Sequence, residues 1–514
     1  MTTHPSGTTV SDVRLVPAAL TCWIVTAAGI LWSPSAALWS VGVAVIVTAV
    51  VAWRLRSGPA RRSSAVWPSV LAVAMVGIAF AFAVGLRVDD VRHHPIVSHY
   101  GATASVVVTP SESPRFLGAT RMMFRGALKS LDGDPASGRV LVFASAFEYG
   151  ELTAGRPAAF RARISRPTRR DLSVAVLAAT GEPRLGTASA VQRGAAAVRA
   201  KFADAARAVL PPDQAAMLPA LVLGETVAMT DDTISEFRIA GLTHLTAVSG
   251  ANVTIVCGAV LLTAVLIGPR AAVGLAAMAL IAFVIVVQPS ASVLRAAVMG
   301  AIALFAVVSR RRRQAIPALS ACVLVLMVGA PELAVDVGFA LSVSATAALV
   351  VIAPVWSRRL VERGWPTPLA AAVSVAAAAQ LVTAPLVAGM SGTVSVVAIV
   401  ANLVVAVVIP PITVIGTVAA AVTALWPAAA QLLIRFTGPE LWWLLHVAHW
   451  TSALPGAVLP VPSGLPGVVS VAGAGIASVL LWRFRWGRLV LAAAVVCLVA
   501  WSASGQGVDA VGGP

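Results

Sequence analysis

The stretch GLTHLTAVSGANVTIV, Gly241 to Val256, decides how this chain is read. It opens as a transmembrane helix would, apolar and helix-friendly, and then places Ser249, Gly250 and Asn252 where lipid should lie. A polar side chain facing hydrocarbon is costly, so the polar side of this span must face protein or water. Thr246, Ser249 and Asn252 recur every three residues, which on a helix puts them on one side. Gly250 permits local unwinding or a close helix approach. Two readings fit: a helix–helix contact with Ser and Asn as interhelical glue, or the wall of a polar path. The preceding MTDDTISEFRIAG reads as a short interfacial helix, with Thr230 as N-cap, Asp231 and Asp232 in its first turn, and Gly241 ending it.

The composition around this stretch sets the class. Hydrophobic residues make up 59% of the 514 and charged residues 11%, against about 25% charged in soluble proteins; the mean hydropathy is +0.90. Water is absent from the bilayer core, so apolar runs of roughly 17–25 residues cross as helices. The chain is therefore predicted to be a polytopic α-helical membrane protein of about 13 spans, some broken or re-entrant. They fall near 15–33, 36–53, 67–86, 245–267, 271–287, 292–309, 315–330, 337–356, 366–390, 395–410, 412–426, 465–482 and 489–503. The pair 395–426 is either two spans or partly re-entrant. The first apolar run lacks a charged leader and a small-residue cleavage site, so no secretory signal is expected. Four arginine-rich loops, 54–62, 310–313, 357–364 and 483–488, all fall on one side of this count. The positive-inside rule makes that side cytoplasmic, with the N-terminus inside and the C-terminus outside.

Residues 87–207 are then extracytoplasmic, and they carry 18 arginines and lysines against ten acids. Their apolar pattern changes to period two, the strand signal: ATASVVVT (102–109), RMMFRGALK (121–129), GRVLVFAS (138–145) and PAAFRARIS (157–165). Four or five short strands suit a small barrel or open sheet. Alternation sets Arg121, Arg125 and Lys129 opposite Met122, Phe124 and Leu128, and Arg161 and Arg163 opposite Phe160 and Ile164. A basic face over an apolar core is how an OB-fold offers a groove to a nucleic-acid backbone, with Tyr100 and Tyr149 as candidates for base stacking. The other reading is a solvated basic face beside anionic headgroups. Residues 187–210 form an amphipathic helix with Val191, Val198, Phe202 and Val209 on one side, lying on the membrane or packing under the barrel.

Downstream spans repeat the opening anomaly. QPSASVLRAAVMG (288–300) carries Arg295 about two turns in, as a side chain snorkelling outward or as a fixed cation near an entrance. Gln380 precedes Pro385, and Asn402 precedes Pro410 and Pro411. Irregular backbone at depth survives where it is buried in protein or lines a cavity, so together these features favour a polar pathway. No Walker loop, HExxH or GxSxG motif occurs, and the histidines lack metal spacing. Neither catalysis, metal nor cofactor is expected. Intramembrane carboxylates are nearly absent, which disfavours a proton-coupled transporter. A path lined by amides and hydroxyls beneath a basic outer domain suits a polyanion.

At these residues the chain resembles the ComEC-type competence DNA channels. The resemblance rests on LGETVAMTDDTISEFRIAGLTHLTAVSGANVTIV (223–256), PSASVLRAAVMG (289–300), FALSVSATA (339–347) and QLVTAPLVAGMSGTVSVVAIVANL (380–403), in family order. It implies single-stranded DNA as cargo, bound for the cytoplasm of a bacterium across its inner membrane. It also matches Gly241, His244, Ser249, Gly250, Arg295, Gln380 and Asn402 to motif positions; with Asn252 these are the candidate channel-lining or gating residues. Asn252 stands where many members have histidine. Full-length members append a metallo-β-lactamase-like domain, whereas this chain ends at Pro514, so the nuclease is expected in another polypeptide. The implied organisation is N-terminal spans (1–87), an OB-like DNA-binding domain (88–186), amphipathic and interfacial helices (187–240), the channel domain (241–504) and a short outer tail (505–514). An outer DNA receptor and a cytoplasmic ATPase or helicase complete the expected partners, besides membrane lipid. The rival readings are a small-molecule or lipid-intermediate transporter using the same seam, and a scaffold binding anionic lipid or cell-wall polymer.

Overall fold

A computed structural model describes residues 12–56, 66–118, 120–246, 248, 250–263, 267–288, 290–309 and 314–481, with a few single positions thereafter. Loop 310–313, Ser249, the tail 505–514 and nearly all of the span expected at 489–503 lie outside the described residues. The helices are α1 (Val16–Leu31), α2 (Pro34–Arg56), α3 (Val66–Arg92), α4 (Ala146–Tyr149), α5 (Ala190–Val209), α6 (Pro212–Leu223) and α7 (Asp231–Ile239). They continue as α8 (Gly250–Thr263), α9 (Pro269–Val287), α10 (Ala291–Val308), α11 (Ala315–Gly329), α12 (Val337–Val351) and α13 (Ala353–Val361). The last are α14 (Thr367–Ser391), α15 (Ala398–Val405), α16 (Ile409–Val422), α17 (Pro427–Phe436), α18 (Gly438–Ser452) and α19 (Leu465–Leu481). The chain divides into two compact units, Met1–Ala197 with Val256–Ala340, and Val198–Ile255 with Leu341–Pro514.

The count of membrane-length helices differs from the sequence expectation. Among the described residues, four stretches are long and apolar enough to cross: Val70–His99, Arg270–Val287, Val337–Val361 and Thr367–Ser391. The pair α15–α16, bent by 55°, would make a fifth. Six more apolar helices are shorter, among them α1, α10, α11 and α19. At 1.5 Å per residue, a helix of about 15 residues reaches roughly 23 Å, less than the ~30 Å hydrocarbon core. The described residues thus hold four membrane-length helices, or five with the bent pair, and about thirteen spans is not borne out.

In the first unit, strands β1 (Thr103–Pro110), β2 (Arg115–Leu117), β3 (Arg121–Leu131), β4 (Asp134–Ser145), β5 (Ala158–Ser165) and β6 (Ser173–Leu185) build a small β-barrel-like domain. The ring runs β1–β5–β6–β4–β3 and closes by pairing β3 with β1, with β2 added at the edge of β3. All pairs are antiparallel except β4 with β6. The four predicted strands are present. The fifth ring strand, β6, escaped the period-two search because a register shift beside β4 leaves Val174 and Ala175 both buried. Closure needs β1 and β3 to approach closely. A Cβ on Gly126 would lie 2.5 Å from Val108 Cγ1, so only glycine fits there. The core is Val106, Phe124, Val142, Phe160, Ile164 and Leu177, each buried as alternation requires, with Ile96 packed in from the segment before β1.

Three polar links seat this barrel on helix connections of its own unit. Arg170 Nη1 donates to the carbonyls of Leu31 and Trp32, at 2.7 and 3.2 Å. Ser113 donates through its backbone N and Oγ to Gln288 Oε1, at 2.9 and 2.8 Å. Arg139 pairs with Glu332. The α1–α2, α9–α10 and α11–α12 connections therefore lie on the barrel's side.

In the second unit, α14 packs against α13, α15 and α19, while α16 packs on α6, α17 and α18. Gly416 of α16 lies against Val222 of α6. On α18 the rings of Trp442 and His446 approach to 4.0 Å, and Trp450 sits edge-on to both Trp442 and Trp443. His449 Nδ1 is 2.7 Å from Glu236 Oε1, so α18 is tied to α7.

Candidate functional site

The break at the opening stretch is built from strong local signals. Thr230 caps α7 by accepting from Thr233 N at 3.3 Å, and Asp231 and Asp232 occupy the positive end of the helix. Gly241 then adopts φ +71°, a left-handed conformation costly for any residue with a Cβ. Residues Thr243–Leu245 make a 3₁₀ turn that carries His244 on the surface. Helix α8 begins only at Gly250. Thr246 therefore does not share a helical face with Asn252. Its Oγ1 closes the turn on Thr243 O at 2.9 Å. The expectation of one polar stripe through 246, 249 and 252 is corrected at Thr246, because glycine and the 3₁₀ turn end the helical register first.

Gly241, Gln380 and Asn402 come together. A Cβ on Gly241 would stand 2.5 Å from Ala398 Cβ and 3.4 Å from Ser395 Cβ. Asn402 Nδ2 donates to Ala398 O at 2.8 Å and to Gly241 O at 3.4 Å. Gln380 Nε2 donates to Ser395 O at 3.4 Å. Two amides from α14 and α15 thus brace the non-helical backbone on either side of this contact. Backbone outside a helix needs such partners when water is scarce.

Asn252 serves a second joint. It is 5% exposed, and its Nδ2 donates to Leu221 O at 3.0 Å. Leu221 lies in the last turn of α6, and the Glu225 N–H that would bond its carbonyl goes to Pro219 O instead. Asn252→Leu should strip that partner and cost about 1–3 kcal/mol, read as a lowered melting point of the purified protein; an unchanged melting point would show the bond to be dispensable. Burial pushes the Arg199 guanidinium of α5 below its ordinary value, and the Glu225 carboxylate counters it. On α5 the buried side is Ala195, Arg199, Phe202, Ala205 and Ala206; of the expected stripe only Phe202 is buried, Val198 and Val209 are half-buried and Val191 is exposed.

Arg295 belongs to the first unit. It is 7% exposed, its Nη1 lies 3.5 Å from Met299 Sδ, and its carbonyl accepts from Cys322 Sγ at 3.5 Å. Its side chain is buried rather than extended to the surface, which sets the snorkelling reading aside.

The barrel sorts its own candidates. Arg121, Lys129, Arg161 and Arg163 are exposed, and Arg125 is half-buried. Arg121, Arg125 and Lys129 share the outward strip of β3. Arg161 and Arg163 form another strip on β5, beside Ser105 and Thr103 of β1, which stands between β3 and β5. The strip on β3 continues onto β4, where Met123 faces Phe143, Arg125 faces Leu141 and Ala127 faces Arg139. The Arg121 guanidinium lies over the Phe143 ring, 5.8 Å from its centroid. Phe143 and Arg139 were missed in sequence, although their alternation in GRVLVFAS could have placed both on the outward side.

The tyrosines are the clear correction. Tyr149 is 1% exposed, packs edge-on against Phe160, and donates its hydroxyl to Gly181 O at 3.0 Å. Burial raises its phenol well above the ordinary value. It is a core residue and cannot stack on a base, because its short helix turns it inward. Tyr149→Phe should cost about 1–2 kcal/mol of stability and leave nucleic-acid binding unchanged, tested by melting and by oligonucleotide titration. Tyr100 is half-buried, donates to Val174 O at 2.7 Å and has Arg166 over its ring, so its face is already occupied.

Residues 221–486 match the family described as Competence protein. The matched region holds Gly241, Asn252, Arg295, Gln380 and Asn402, and leaves the barrel outside it. No curated protein and no solved structure matches the chain.

Proposed function

This chain belongs to the ComEC-type Competence protein family, and from that premise we propose that it passes single-stranded transforming DNA through a bacterial cytoplasmic membrane. The observation that carries this reading is the convergence of Gly241, Gln380 and Asn402 on one break in helical backbone within the matched region. Non-helical backbone at membrane depth is tolerated where it is buried in protein or lines a water-filled cavity. Amides that brace such a break hold the wall of a path open without adding charge, which suits a polyanionic cargo. His244, Ser249, Gly250 and Asn252 belong to the same proposed path, and Arg295 is proposed to act separately within its own unit.

The barrel is proposed to gather the strand. Its five-stranded ring is of the kind on which OB-folds bind oligonucleotides across their second and third strands. Here those strands are β3 and β4, carrying Arg121, Arg125 and Phe143. Arginines supply phosphate contacts and an aromatic ring supplies a stacking surface, the two elements of sequence-tolerant single-strand binding. The chain lacks a Walker loop, so the driving force is assigned to a cytoplasmic ATPase or helicase. Delivery is assigned to an outer receptor. With these assignments the N-terminus is cytoplasmic and the barrel extracytoplasmic.

The test is import of labelled DNA into the cytoplasm of a strain lacking this gene, scored apart from DNA held at the surface. Retained surface binding with lost import, restored by the wild-type gene, supports the channel. Unchanged import in a strain shown to take up DNA would refute it.

A further inference from the structure

We propose that Glu112 is a built-in competitor for phosphate, which keeps the barrel's grip on DNA weak enough for the strand to be passed on. This rests on the reading of the β3–β4 face as the DNA-gathering surface. Glu112 sits in the connection between β1 and β2, with its side chain 22% exposed. Its Oε2 lies 3.8 Å from Arg115 Nη2, and its Oε1 lies 3.8 Å from Arg125 Nη1. One carboxylate thus addresses two guanidiniums from two strands, through separate oxygens. A phosphodiester, which also offers two anionic oxygens, would bridge the same pair of arginines.

The carboxylate is held in place from both sides. Ser111 donates to Arg125 O through its backbone N at 2.9 Å and through its Oγ at 3.1 Å. Ser113 is fixed by Gln288 Oε1, which accepts from its N and Oγ. Gln288 keeps this position at φ 73° and ψ 147°, a region costly for any residue but glycine. Residues 111 and 113 are both hydrogen-bonded, which fixes the backbone on either side of Glu112. A phosphate reaching Arg125 must displace the carboxylate or share the guanidinium with it. Arg121 and Lys129 on the same strip have no such partner in the ion pairs of the described residues, and are proposed to make the first contacts.

The physical consequence is a face that attracts a polyanion at range and holds it loosely on contact. A site on a transport path must bind well enough to be entered and weakly enough to be left. A carboxylate fixed between two arginines lowers the charge that a phosphate can neutralise there, so affinity and salt dependence both fall.

The experiment uses the full chain in phosphatidylcholine nanodiscs and a fluorescein-labelled oligo-dT, followed by anisotropy across a salt series. Glu112→Gln should bind about fivefold tighter at low salt, with a slope of log K against log salt steeper by about 0.7. Asp134→Asn makes the same change in net charge at the exposed start of β4 and should stay near wild type. Glu112→Asp, which keeps the charge, should also stay near wild type and controls for folding of the loop. Equal tightening in Asp134→Asn, or unchanged or weaker binding in Glu112→Gln, overturns the role of Glu112. Absence of binding by the wild-type chain overturns instead the DNA-gathering reading on which it rests.

Discussion

Gly241→Val should abolish DNA import while leaving oligonucleotide binding by the barrel within about twofold of wild type. The substitution meets two obstacles at once. Gly241 has φ +71°, where a β-branched residue is a severe outlier, and its new Cβ would overlap Ala398 at 2.5 Å. Left-handed strain costs about 1–2 kcal/mol and overpacking about 1–3 kcal/mol more. Because α7 is helical and well capped up to this point, the strain falls on the junction braced by Asn402 and Gln380. Gly241→Ala should show a smaller loss in the same direction. Import and membrane level are measured together, the latter by blotting. Wild-type import by Gly241→Val would show that the junction is not part of the path.

Arg121→Glu combined with Lys129→Glu should weaken oligonucleotide binding more than tenfold at low salt and flatten the salt slope by about 1.4. Each position offers an exposed cation on the outward strip of β3, and each is placed by alternation with the buried Met122, Phe124 and Leu128. The fold should survive, since neither side chain enters the core. The slope separates contact from general repulsion, because a change confined to long-range steering alters the on-rate and leaves the number of released counterions nearly unchanged. Equal affinity and slope in this variant would move the DNA surface away from β3. The strip of Arg161 and Arg163 on β5 would then be next, and the same reversal there is the comparison to run alongside.

Much of the fold was legible because its signals are local. The membrane class follows from composition. The strands of the barrel follow from alternation, as RMMFRGALK shows residue by residue, with Met122, Phe124 and Leu128 inside. The cap at Thr230 and the stop at Gly241 follow from side-chain chemistry within four residues. Span number was less legible. Apolarity says that a residue tolerates lipid, and says little of where the helix breaks, so α15 is eight residues long and α8 starts only at Gly250.

The sequence by itself determined a helical membrane protein with a basic, strand-rich domain, and it marked the amides and glycines that interrupt its apolar runs. It did so because burial preference and backbone freedom are properties of single residues and their near neighbours. What those amides bond to was decided only by the tertiary structure. Asn402 reaches Gly241 across 161 positions of sequence, Asn252 reaches Leu221, and Glu112 stands between arginines of two strands. The inward turn of Tyr149 was decided in the same way, by the closure of a ring whose last strand comes after it. Periodicity assigns a residue to a face, and only the packing of distant segments supplies the partner that the face meets.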